Sequence, residues 1–143
     1  MSRISRLKFL IMKKKKSTLA VMTKVRELTK YVFEATEKSP KKFRFTLCTK
    51  LENYCLNVIE LIYKANSMKQ IDKRIELQEK AKTYLAMIDY FANLSYELTC
   101  ITFKQYEVIS LNVALSMKLL IAWMNQAKKQ LVINSPSGDL IKG

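Results

Sequence analysis

Residues 23–45 read TKVRELTKYVFEATEKSPKKFRF, and this stretch decides the architecture. Val25, Leu28, Val32 and Ala35 recur at spacings of three and four, which puts them on one stripe of an α-helix. The stripe stops at Ser39-Pro40, because proline disfavours helical geometry in the residue before it. Pro40 then suits the first turn of a second helix, with Ser39 as its cap. Helix, short turn, helix is therefore the unit to seek in the rest of the chain.

The second helix is expected to run to about Asn66, with Leu47, Leu51, Tyr54, Cys55, Val58, Ile62 and Ala65 inward. Asn66-Ser67 can end it. A third helix over residues 69–98 turns Ile71, Ile75, Gln78, Ala81, Leu85, Ile88 and Ala92 inward and sets Glu76 and Lys80 outside as an i,i+4 pair. Thr99-Cys100-Ile101-Thr102 is a short connection, and Thr102 suits a cap. The fourth helix continues to about Leu131, with Tyr106, Ile109, Val113, Leu120, Trp123 and Ala127 on one side. No strand competes. The expected fold is all-α, an up-down-up-down antiparallel four-helix bundle over residues 22–131. Residues 1–21 form a basic N-terminal arm open to disorder, and residues 132–143 a flexible tail whose Asn134-Ser135-Pro136-Ser137-Gly138 is turn chemistry.

A chain of 143 residues supports one domain with its own core, and 49% apolar residues fit a folded protein. It has no histidine, and no glycine before Gly138. Without His there is no imidazole base, no Ser-His or Cys-His nucleophile pair and no His metal ligand. Without Gly there is no phosphate-cradling loop of the nucleotide-binding kind. Neither catalysis nor a cofactor or metal is expected. Cys48, Cys55 and Cys100 have no metal spacing and read as buried free thiols. The apolar stretch Phe9-Leu10-Ile11-Met12 is too short for a signal peptide, and no window is read as a membrane span. A soluble, cytoplasmic protein without a membrane partner is expected.

Charge points to the partner. Lys and Arg outnumber acids 26 to 12, a net charge of +14, and the seven basic residues of the arm leave +7 on residues 22–143. A field of that size draws polyanions. The densest cluster, Lys38, Lys41, Lys42 and Arg44, opens the second helix, where the macrodipole opposes cations and where phosphate would be welcome. On the third helix Lys69, Lys73 and Lys80 share a stripe beside Arg74 and Lys82. Asp72, Glu76 and Glu79 interleave with them, so pairing within the helix competes with a binding role. Phe43 and Phe45 flank Arg44; aromatics beside basic residues can stack on bases, whereas helical spacing favours core or interface.

A run of residues carries a resemblance. Tyr31, Thr36-Glu37-Lys38-Ser39-Pro40-Lys41 and Arg44-Phe45 come first, then Ile62-Tyr63-Lys64-Ala65-Asn66. Arg74, Leu77, Ala81 and Leu85 follow, then Ile101-Thr102-Phe103-Lys104-Gln105-Tyr106 and Trp123. In this order they resemble the accessory variability determinant (Avd) proteins of diversity-generating retroelements. Those proteins belong to a wider four-helix-bundle family with proteins encoded in ribosomal RNA intervening sequences. Lys42 is an extra lysine here, and Ser39 stands where that family commonly has phenylalanine-proline.

The resemblance implies a non-catalytic accessory protein that forms a homo-oligomer, a pentamer, and binds a reverse transcriptase and its template RNA during mutagenic complementary DNA synthesis. Arg44 and Arg74 match basic positions of the family. With Lys41, Lys42, Lys73 and Lys80 they are the expected polyanion or polymerase contacts. The alternative is a stand-alone bundle of the intervening-sequence type, a structural or interaction protein with no polymerase partner.

Overall fold

The computed structural model describes residues 2–6 and 16–134. The apolar stretch at residues 9–12, the lysines at 8 and 13–15 and the tail from 135 onward lie outside the described residues. Residues 3–6 form one helical turn, in which the Ser5 N–H donates to Ser2 Oγ at 3.1 Å. Four long helices follow: α1 (Lys16–Thr36), α2 (Thr49–Ser67), α3 (Ile71–Glu97) and α4 (Phe103–Asn134). No strand occurs among the described residues. Each helix packs on the next, and α1 packs on α4, so the four close a ring around one core.

The α1 stripe is longer than its sequence pattern predicts. The helix begins at Lys16 rather than Thr23, and buried Thr18, Val21 and Met22 continue the spacing of Val25, Leu28, Val32 and Ala35. The inward sides expected for α2, α3 and α4 carry the core, with Leu51, Ile62, Leu85, Ile88, Ile109 and Leu120 fully buried. Tyr54 ties α2 to α3 by an edge contact with Tyr84 at 5.3 Å and by stacking on Phe91 at 5.7 Å. Gln78 lies wholly inside, and neither end of its amide finds a hydrogen-bond partner among the described residues.

The connections depart most from expectation. Residues 41–48 are not regular α-helix: a 3-10 turn (Lys41–Phe43) runs into a π turn (Arg44–Cys48) before α2. Ser39 does not cap this segment. Its buried hydroxyl instead donates to the Cys100 carbonyl at 2.9 Å, joining the α1–α2 connection to the α3–α4 connection. The expected Glu76–Lys80 pair is also absent among the described residues; Glu79 meets Lys128 of α4 at 3.5 Å instead. Thr102 does act as a cap. The Gln105 N–H donates to its hydroxyl at 3.1 Å while the Gln105 side chain accepts from the Thr102 N–H at 2.9 Å, a reciprocal capping box.

The end of α3 replaces the usual glycine with threonine. Thr99 sits at φ 61, the left-handed region, and its N–H reaches Tyr96 O at 2.9 Å while the Cys100 N–H reaches Ser95 O at 2.8 Å. This is the Schellman pattern, normally closed by a residue without a Cβ. A β-branched residue there is strained, by about 1–3 kcal/mol. Thr99→Gly should therefore raise stability by about 1 kcal/mol in urea denaturation. An unchanged or lower midpoint would contradict the assignment of strain.

All three cysteines are buried and free. Burial pushes the Cys55 thiol from 9.0 up to about 12, opposed by a hydrogen bond with Thr29 and helped slightly by the Glu52 charge. The folded state thus holds this proton more tightly than the unfolded chain. Its contribution to stability is whole below about pH 9 and is lost as pH rises toward 12. Comparison of wild type with Cys55→Ala should show part of the alkaline decline in stability vanish; identical pH profiles would remove Cys55 as its source.

Candidate nucleic-acid interface

The six basic residues expected to contact a polyanion fall into two groups. Lys41, Lys42 and Arg44 precede α2, whereas Lys73, Arg74 and Lys80 follow it on α3. Lys73 and Arg74 lie past the far end of α2, whose 19 residues span about 28 Å at 1.5 Å per residue, whereas Lys80 returns beside Asn57 and Glu60 within it. The two groups do not form one patch.

The first group stands on the 3-10 and π turns. Seven residues before Leu51, a regular α-helix would aim Arg44 at the core. The wider π turn shifts the inward position to Phe43, which is half-buried, and leaves Arg44 and Phe45 exposed. Lys42 Nζ lies 4.9 Å from the centre of the Phe43 ring. Arg44 lines a cleft of about 370 Å³ with Phe33, Thr36, Glu37, Cys48 and Glu52. Lys41 and Lys42 are exposed, and among the described residues none of the three basic side chains forms an ion pair. No acidic residue occupies the first turn. The Ser39–Cys100 bond sets this group beside the start of α4, where Phe103 and Lys104 are exposed.

The second group is less uniform. Lys73 is exposed, but half-buried Arg74 turns inward along the chain: Nε donates to Ala65 O at 3.0 Å and Nη2 to Met68 O at 2.7 Å. These are carbonyls at and just past the end of α2; that of Ala65 also accepts from the Met68 N–H at 3.2 Å. Arg74 therefore clamps the α2–α3 connection, and only part of its guanidinium remains for any partner. Lys80 lines a second cleft with Asn57, Glu60, Leu61, Lys64 and Tyr84. There Lys64 hydrogen-bonds Glu60 at 2.8 Å and holds its carboxyl below the usual range, so the acid in that cleft already has a cation.

Two further lysines belong here. Glu79 draws Lys128 alongside α3, and Ser17 donates to Gln126 at 3.0 Å, so the start of α1 meets the same part of α4. Exposed Lys128 and Lys129 thus join Lys80, close to where the basic arm enters. The adjacent lysines late in α4 were the available signal in the sequence, but only the fold shows which neighbours they have.

The outer face of α4 is largely apolar, interrupted by exposed Lys118. Leu111, Leu115 and Ile121 are exposed, with Ala114 and Ala122 beside them. Contrary to the sequence reading, this helix is long and apolar enough to cross a membrane by length and composition, with a third of that window buried. Its buried side faces α1 and α3, as a core helix does. Among the described residues, no group of three or more Cys, Asp or Glu is placed to hold a metal.

These features define an all-helical protein with two separated basic groups and one apolar outer helix face. The chain matches the bAvd-like family over residues 19–127 and belongs to that family. The family is of an accessory, non-catalytic kind, and membership points to an accessory role in diversity-generating retroelements. No curated protein matches the chain.

The geometry separates Arg74 from its neighbour. Arg74→Met should lower stability by about 1–3 kcal/mol, because two carbonyls lose a charged donor. Lys73→Gln should stay within about 0.5 kcal/mol of wild type. Equal urea midpoints for the two variants would mean that Arg74 clamps nothing.

Proposed function

We propose that the chain binds the reverse transcriptase and template RNA of a diversity-generating retroelement and supports mutagenic complementary DNA synthesis without doing chemistry itself. Family membership over residues 19–127 carries this reading, and the two basic groups supply its means. The template RNA is a long polyanion, which suits cations spread along α2 and α3. Lys41, Lys42, Arg44, Lys73 and Lys80 are the contacts, with Arg74 sharing its donors between the α2–α3 connection and the partner. Such work places the protein in the cytoplasm.

The working unit is a homo-oligomer, a pentamer, of up-down-up-down antiparallel bundles. Connections as short as residues 68–70 favour that topology. The exposed Leu111, Leu115 and Ile121 favour burial of α4 against another copy, because a helix apolar on both sides is normally covered on both.

Two measurements test this. Neutralising about six phosphates predicts that RNA affinity falls roughly 10³-fold between about 50 and 200 mM salt. Light scattering should give a mass several times that of one 16.7 kDa chain. A protein that stays monomeric and ignores RNA at low salt would overturn the proposal.

A further inference from the structure

Phe45 has no packing role. It is 86% exposed, the highest value among the large hydrophobic residues described, in a helical segment where its neighbour Phe43 is half-buried under Lys42. The π turn aims it outward, and π turns recur at functional positions in helices. Its surroundings are cationic and hydrophilic: Lys41, Lys42, Arg44 and Thr46 are all exposed. A single ring flanked by cations is a poor anchor for an apolar protein surface, which would have to desolvate the charges beside it. It does match what a single strand of nucleic acid offers, an unpaired base with a π face between two phosphates. A duplex keeps its bases stacked on each other and would leave the ring idle.

We infer that Phe45 stacks on an unpaired base of single-stranded RNA whose flanking phosphates meet Lys41, Lys42 and Arg44. This rests on the RNA-binding reading above and names the form of RNA that this group takes. Arg44 lines the cleft with Glu37 and Glu52, whereas Lys41, Lys42 and Phe45 do not, so the strand approaches from the lysine side, away from those carboxylates. Stacking is indifferent to salt, whereas phosphate contacts are not, so the two contributions separate in one titration.

The experiment uses the full chain with a short oligoadenylate and with an RNA duplex of equal length, each titrated at several salt concentrations. Phe45→Ala should weaken oligoadenylate binding roughly ten-fold, leave duplex binding unchanged and leave the salt slope unaltered. Phe45→Trp should bind as well as wild type or better. Lys41→Gln with Lys42→Gln should instead flatten the slope for both RNAs by roughly two contacts. Because Phe45 is exposed, its substitution should leave the circular dichroism melt in place. If wild type binds oligoadenylate and Phe45→Ala binds it equally well, or loses duplex binding to the same extent, stacking is wrong and the RNA-binding reading survives. Stacking is also wrong if Phe45→Ala leaves RNA binding untouched but abolishes capture of the reverse transcriptase. If wild type binds neither RNA at low salt, the broader reading fails first.

Discussion

Every connection in this chain must end one helix and begin the next without glycine, because both glycines lie at or beyond position 138. The backbone solves this in three different ways. At α1–α2 it narrows to a 3-10 turn and widens to a π turn; at α2–α3 Met68 becomes extended; at α3–α4 Thr99 accepts a left-handed conformation. Side chains then hold each solution in place. Ser39 reaches Cys100, Arg74 spans back to Ala65 and Met68, and Thr102 and Gln105 satisfy each other. Long-range polar contacts at the ends of the helices do the work that local flexibility does elsewhere.

The same constraint shapes the surface. A segment wound through two helical types rotates its side chains relative to α2, and this is how Arg44 and Phe45 come to face outward. Cations at a helix start are opposed by the macrodipole, and no acid stands in the first turn to relieve them. The arrangement costs a little stability and leaves a positive end with free backbone donors, which is where an anion gains most. At the far end of α2 the balance differs. Arg74 sits near carbonyl oxygens, its favoured side of the dipole, so its charge is stabilising whether or not a partner is bound.

The core was legible because burial obeys the three-and-four spacing: nearly every residue assigned inward on α2, α3 and α4 is buried or half-buried. The start of α1 was hidden by the lysine run, whose composition suggests an arm while Thr18 and Val21 continue the stripe. The hydrogen-bond partners of Ser39 and Arg74 were hidden for a different reason. A serine before proline and an arginine early in a helix have ordinary local uses, and their actual partners are set by how the chain folds back. The outer face of α4 was missed because its apolar residues surround the helix, so choosing one stripe concealed the other. The basic residues were legible as a set, but not as two groups, since separation along α2 is a three-dimensional fact.

Gln78 has a bearing on how much stability the core leaves unused. A fully buried amide with neither end partnered among the described residues is an inefficient way to fill a core, and an aliphatic side chain of similar volume would serve stability at least as well. A fold can carry such a residue so long as the rest of its core keeps stability above the threshold that function needs. Position 78 is therefore where this core holds stability in reserve, open to release by an aliphatic side chain.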